Sequence, residues 1–119
     1  MPHLAIECSD NLKSVSPQAA QALLKECFAV LVAELPTQLD ACRGYIDSHQ
    51  NFLVADDPAR AFVSVYIKVL SGRTDEVLDS TARKIFKIVQ DVFKANNPDL
   101  QIDIAVEIRN LAKAYIKGI

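Results

Sequence analysis

The sequence has no tryptophan, and its aromatic residues are limited to five Phe and three Tyr. Half of the 119 residues are hydrophobic nonetheless, so the core must be largely aliphatic. A chain of this length is the size of one domain and buries roughly two-thirds of its unfolded surface. Aliphatic surface is left over, and a second subunit is its expected cover. Charge of one sign is also lacking. The formal net charge is −2 and the basic residues are dispersed, which gives nucleic-acid binding no support. Cysteine is sparse. Cys8, Cys27 and Cys42 are odd in number, far apart and without CxxC spacing, so they fit neither a disulfide framework nor a zinc site. Buried thiols in a reducing cytoplasm are the expectation. Long apolar runs are missing too: the longest, Cys27 to Ala33, is too short to span a bilayer. Met1-Pro2-His3 has no basic leader, and Glu7 and Asp10 follow at once, which argues against a signal peptide.

What is present is clean periodicity. His3 to Cys8 alternates, with Leu4, Ile6 and Cys8 on one face, and predicts a strand closed by Ser9-Asp10-Asn11. Ser16-Pro17 reads as an N-cap followed by proline at the first helical position. Ala20, Leu23, Leu24, Cys27, Phe28 and Leu31 then repeat at helical spacing until Pro36. The last turns of that helix are apolar nearly all round, so burial on more than one side is expected. A second strand is placed at about 41–47, and His49 to Arg60 reads as a loop with an apolar patch at Phe52 to Ala55. Ala61 to Leu70 is a strand, with Val63, Val65, Ile67 and Val69 opposite Ser64, Tyr66 and Lys68. After the turn Ser71-Gly72-Arg73, Thr74 caps a helix whose first turn holds Asp75 and Glu76. Leu78, Ala82, Ile85, Val89 and Val92 form its apolar stripe, and Asn96-Asn97-Pro98 ends it. Leu100 to Ile108 alternates as a closing strand, and the tail from Asn110 to Ile119 has no clear pattern.

The sum is a single α+β domain, 1–119, of two β-α-β units, about 2–58 and 59–119, with helices near 17–35 and 75–95. Strands joined through a crossover helix run parallel. Two such units side by side predict a four-stranded mixed sheet with both helices on one face. The other face would carry Ser64, Tyr66 and Lys68 beside His3 and Ala5. It could be wet, but the aliphatic surplus favours a neighbouring subunit.

Met1-Pro2-His3 and Glu7-Cys8-Ser9-Asp10-Asn11 resemble the opening of the 5-carboxymethyl-2-hydroxymuconate delta-isomerase family. That family belongs to the tautomerase superfamily, with 4-oxalocrotonate tautomerase and macrophage migration inhibitory factor. The likeness continues through Ala61-Phe62-Val63, Leu70-Ser71-Gly72-Arg73-Thr74, Phe86, Val106-Glu107-Ile108 and Leu111, nearly the whole chain. The resemblance implies a homotrimer and a mature chain that begins at Pro2, whose secondary amine is the catalytic base. It also implies that Arg43 and Arg73 bind the carboxylates of a small enol or dienol substrate. The implied reaction is enol-to-keto proton transfer on a carboxylated 2-hydroxymuconate, in aromatic-compound catabolism, with no metal or organic cofactor. Where the family often has a second arginine two positions after the first, this chain has Tyr45, and the family's tryptophans are absent.

Chemically, proline nitrogen is an amide inside a chain and a basic amine only at its head. A free α-amino group titrates at about 8, and apolar burial or nearby arginines lower that towards neutrality. Such an amine can accept a proton at one atom and return it at another, while guanidinium groups stabilise the developing charge. Removal of Met1 is therefore required. Taken singly, Arg43 and Arg73 would be solvated residues, and their weight is joint. His3 reads as a packing or supporting residue; His49, Asp56 and Asp57 as loop residues; Arg83, Lys84 and Lys87 as a solvated helix face. Two alternatives stay open: a superfamily tautomerase with a different acidic substrate, and a non-catalytic oligomeric binding protein on the same scaffold.

Overall fold

The alternating and helical patterns become β1 (His3–Ser9), α1 (Pro17–Glu34), β2 (Arg43–His49), β3 (Ala61–Val69), α2 (Asp75–Asn96) and β4 (Ile102–Asn110). The structure is a computed structural model that describes residues 2–13 and 16–119. Met1, and with it the expected loss of that residue, lies outside the described residues, as do Ser14 and Val15. The strands form one sheet in the order β2-β1-β3-β4. β1 pairs parallel with β2 and antiparallel with β3, and β3 pairs parallel with β4. The fold is α+β, two helices against a four-stranded mixed sheet.

Both helix starts are set by their caps. Ser16 Oγ accepts from Ala19 N–H at 3.1 Å, with Pro17 at the first helical position. Thr74 Oγ1 accepts from Val77 N–H at 3.3 Å. Leu35 closes α1, donating its N–H to Leu31 O, and Pro36 prevents continuation. Beneath the helices, Leu4, Ile6, Val63, Val65, Ile67 and Val69 are buried from the sheet, meeting Leu23, Cys27 and Leu31 of α1 and Ile85, Val89 and Phe93 of α2. Asn97 fastens the end of α2 from both sides, donating to Phe93 O and accepting from Lys13 N–H.

Several expectations shift. The second strand starts at Arg43, not Ala41, because Leu39–Ala41 is a 3-10 turn. It runs on to His49, which is thus a strand residue and not a loop one. The closing strand likewise begins at Ile102 and includes Arg109 and Asn110. In α2 the fully buried seam is Thr81, Ile85, Val89 and Phe93, rotated from the expected stripe. Thr81 tolerates the core because its hydroxyl donates to Val77 O at 2.7 Å, satisfying itself within its own helix. In α1 only Leu23, Cys27 and Leu31 are buried, while Phe28, Val30 and Val32 are half-buried, so a single side is covered. Cys8 and Cys27 are buried as expected, but Cys42 is only half-buried.

Candidate functional site

Register decides which side chains share the face that the helices leave uncovered. His3 stands opposite Arg43 on one side and Lys68 on the other, and Lys68 is opposite Arg109. Neighbouring strands are about 4.8 Å apart, so these four basic side chains form one row across the sheet. The next row is Tyr45, Ala5, Tyr66 and Glu107, and the one after holds Asp47, Glu7, Ser64 and Ala105. The face therefore runs from basic at the start of β1 to acidic further along. Its first two rows surround a depression of about 600 Å³, lined among others by His3, Arg43, Tyr45, Tyr66, Lys68 and Arg109.

Within the row, the charges are not equivalent. Arg109 is paired with Glu107 Oε2 at 2.7 Å. Arg43 and Lys68 have no carboxylate partner among the described residues. Arg43 Nη2 instead lies 3.0 Å from His3 Nε2, and Tyr115 Oη lies 3.0 Å from the same nitrogen. Burial, followed by the positive charges of Arg43, the amino terminus and Lys68, pushes the His3 imidazole below its ordinary 6.5. Two unpaired cations flanking a neutral ring form a ready anchor for carboxylates.

Pro2 is buried at the head of β1, and its carbonyl accepts the Arg43 N–H at 3.3 Å. The Arg43 side chain stands on the open face with His3. Arg73 lies in the turn after β3, at the same end of the sheet. Its Nε and Nη2 donate to Leu35 O at 3.1 and 2.8 Å, and its Nη1 donates to Leu70 O at 2.9 Å. The guanidinium thus takes the carbonyl of Leu35, the residue that caps α1 and one of those a helix end leaves without a partner. The chain brings Pro2 and Arg43 together through the backbone, and it does not place Arg73 in the depression.

The family model for 5-carboxymethyl-2-hydroxymuconate isomerase matches residues 2–117. The chain belongs to the 5-carboxymethyl-2-hydroxymuconate isomerase family. Membership assigns it to the isomerases and tautomerases. Among solved structures, a 5-carboxymethyl-2-hydroxymuconate isomerase from Deinococcus radiodurans R1 is similar at a TM-score of 0.84 and 25% identity, over 99% of this chain and 88% of that one. A 5-carboxymethyl-2-hydroxymuconate delta-isomerase shares the fold at TM-score 0.71 and 14% identity, over 100% and 88% of the two chains. A fused 4-OT described as a symmetric trimer does so at 0.71 and 19%, over 96% and 89%. No curated protein sequence matches the chain.

Further along the open face of this isomerase-family chain, ligand atoms of Glu7, Asp47 and His49 lie within 4.8 Å of one another. They are the described residues that could hold a metal ion. As they stand, His49 Nε2 bonds Glu7 Oε2 at 3.1 Å with its ring stacked on Phe62, so two of the three groups are engaged with each other. One contributor to the basic row, Arg109, carries no sequence signal of its own. The alternation of β3 put Lys68 on the His3 face, but only the β3–β4 register brings Arg109 beside it. Tyr115 lies in a tail without periodicity, and nothing in its neighbours points to His3.

Proposed function

We propose that the chain is a cofactor-independent isomerase that moves a proton between oxygen and carbon of a small carboxylated dienol, a 2-hydroxymuconate. The base is the amine of Pro2 once Met1 is removed. The observation that carries this reading is the family match from residue 2 onward, with Pro2 buried at the head of a central strand and bonded to Arg43. A terminal proline amine titrates at about 8 in the open, and apolar surroundings with a neighbouring guanidinium lower it. The amine takes the proton of the enol hydroxyl, the conjugated electrons shift, and the same proton is delivered to a carbon further along. The product is an unsaturated 2-oxo acid, and no atoms are gained or lost.

Arg43, free of any carboxylate among the described residues, pairs with a substrate carboxylate and stabilises the charge that grows on the enolate. Arg73 has five N–H donors, and three of them serve Leu35 and Leu70. The remaining two are available to an anion at the same end of the sheet. We further read the assembly as a homotrimer and the location as cytoplasmic. The symmetric trimer of the fused 4-OT and the exposed Tyr45 and Tyr66 on the open face support the first, and the free thiols suit the second.

A second reading is favoured by Tyr45, which stands where the family resemblance has another arginine: a related tautomerase acting on a less acidic substrate. An ultraviolet assay with 2-hydroxymuconate and 5-carboxymethyl-2-hydroxymuconate separates the two by which is turned over faster. Intact-mass measurement on protein from its own cells should find a chain starting at Pro2. Pro2→Ala should then lower kcat by about a hundredfold or more, the usual weight of a positioned base. A chain that keeps Met1 in those cells, or near-normal turnover by Pro2→Ala, removes the mechanism.

A further inference from the structure

His3 and the C-terminal tail take no part in the proton transfer, yet both converge on Arg43. The tail is guided there by the sheet: Leu111 N–H donates to Val69 O at 2.7 Å, continuing the β3–β4 pairing past the end of β4. Four residues later Tyr115 is half-buried, its ring edge-on to that of His3 with centroids 5.6 Å apart and planes at 62°. Its hydroxyl and Arg43 Nη2 each lie 3.0 Å from His3 Nε2.

The chemistry of the donors fixes the state of the ring. A guanidinium carries N–H groups only and accepts nothing. His3 Nε2 must therefore present its lone pair, which makes the imidazole neutral with its proton on Nδ1. The Tyr115 O–H shares that lone pair. Every other group facing the ring discourages a second proton or is neutral. Arg43 faces it from β2 and Lys68 from β3. Arg109 stands one strand beyond Lys68, and the amino terminus adds a further positive charge. Tyr115 comes from the tail, and the nearest acid on β1 itself is Glu7, already bonded to His49.

We propose that His3, braced by Tyr115, is a positioning residue that holds the Arg43 guanidinium over the open-face depression, and that protonation of His3 releases it. This rests on the reading of Arg43 as the carboxylate anchor. In the neutral state Nε2 accepts from Arg43 and Tyr115 together. In the protonated state Nε2–H donates to Tyr115 Oη, which changes from donor to acceptor and keeps its place. Arg43 then meets a donor and a like charge and lets go. The tail thus stays bound while the anchor is freed, so acid weakens substrate binding without unfolding the chain.

The test has two arms. ¹⁵N spectra of histidine-labelled protein, assigned by comparison with His3→Gln, should show His3 with a protonated Nδ1 and a bare Nε2 near neutral pH. The Arg43 guanidinium signal should move when that ring titrates. A neutral His3 protonated on Nε2, or an Arg43 signal indifferent to the titration, overturns the proposal whatever the activity. In the kinetic arm, with 5-carboxymethyl-2-hydroxymuconate as the probe, His3→Leu should raise KM about tenfold with kcat nearly unchanged. Tyr115→Phe should raise it about threefold. His3→Gln, whose amide oxygen reaches the Nε2 position and accepts from Arg43, should keep the wild-type KM and abolish its rise in acid. Unchanged KM in His3→Leu, or a KM of His3→Gln that still climbs in acid like the wild type, overturns it. Should the wild-type chain turn over no muconate, the proposed activity falls, and the spectroscopic arm still decides whether His3 holds Arg43.

Discussion

Arg73 illustrates how one side chain can hold structure and still be placed for chemistry. Its bonds to Leu35 and Leu70 tie the C-terminal end of α1 to the turn after β3. Arg73→Ala leaves those carbonyls without their charged donor, and a loss of about 1–3 kcal/mol in a denaturant titration is expected. If Arg73 also binds substrate, KM rises in the same variant under conditions where it remains folded; a stability loss with unchanged KM restricts it to the helix end. The thiols give a second prediction at this scale. Burial pushes the Cys27 thiol up to about 12, whereas Cys42 is half-buried and less shifted. Cys42 should therefore be alkylated first, and Cys27 only as fast as the chain unfolds. The sign of the Cys27 shift also sets a pH trend. The folded state holds that proton more tightly than the unfolded one, so its contribution to stability is complete below about 9 and is lost as pH rises towards 12. Melting curves across that window test it against Cys27→Ala, whose alkaline fall should be smaller than the wild type's because only the Cys8 and Cys42 thiols are left to contribute to it among the cysteines.

At the scale of elements, Gly44 limits how β1 and β2 fit together. A Cβ there would lie 2.7 Å from Leu4 O and 3.1 Å from Leu4 Cβ, with Leu24 of α1 overhead. The obstacle is backbone, so Gly44→Ala should push the strands apart and cost about 1–3 kcal/mol of stability. Phe93, fully buried in the α2 seam, should cost about 3–5 kcal/mol when cut to Ala, measured by the same denaturant titration. These two residues also mark the limit of what a sequence shows. Alternation and caps suffice for β1, β3, α1 and α2, since a polar residue on every second position or a Ser-Pro start has few other uses. They do not place β2, whose interrupted pattern around Gly44 and the preceding 3-10 turn conceal the true start at Arg43. Nor do they find the α2 seam, because Thr81 satisfies its hydroxyl within the helix and so can occupy a core position that polarity denies it. The candidate site is legible to the same degree. Pro2 and Arg43 stand out by position and resemblance, while the His3–Arg43–Tyr115 contact depends on a tail that carries no periodic signal.

For the whole molecule, the sheet is covered on one side only. The helices bury the aliphatic face, and the other face keeps Tyr45 and Tyr66 exposed amid rows of basic and then acidic residues. A neighbouring copy can cover the tyrosines and the acidic rows of this face while the basic row at the start of β1 stays open to a carboxylate. On the proposed trimer this face supplies the contact, and a stable contact must bury on the order of 1,000 Å² or more. Tyr66 is the sensitive position, since it lies between Ala5 and Glu107 in the middle of the sheet. Tyr66→Glu adds a carboxylate beside one already there, at no cost to the isolated chain's core because Tyr66 does not enter it. Sedimentation should therefore show the wild type at three times the chain mass and Tyr66→Glu at one. The wild-type melting temperature should rise with protein concentration, as it must when assembly is coupled to folding, and that of the variant should not. A Tyr66→Glu protein that sediments and melts like the wild type would move the subunit contact off the sheet face and onto its two edge strands, β2 and β4.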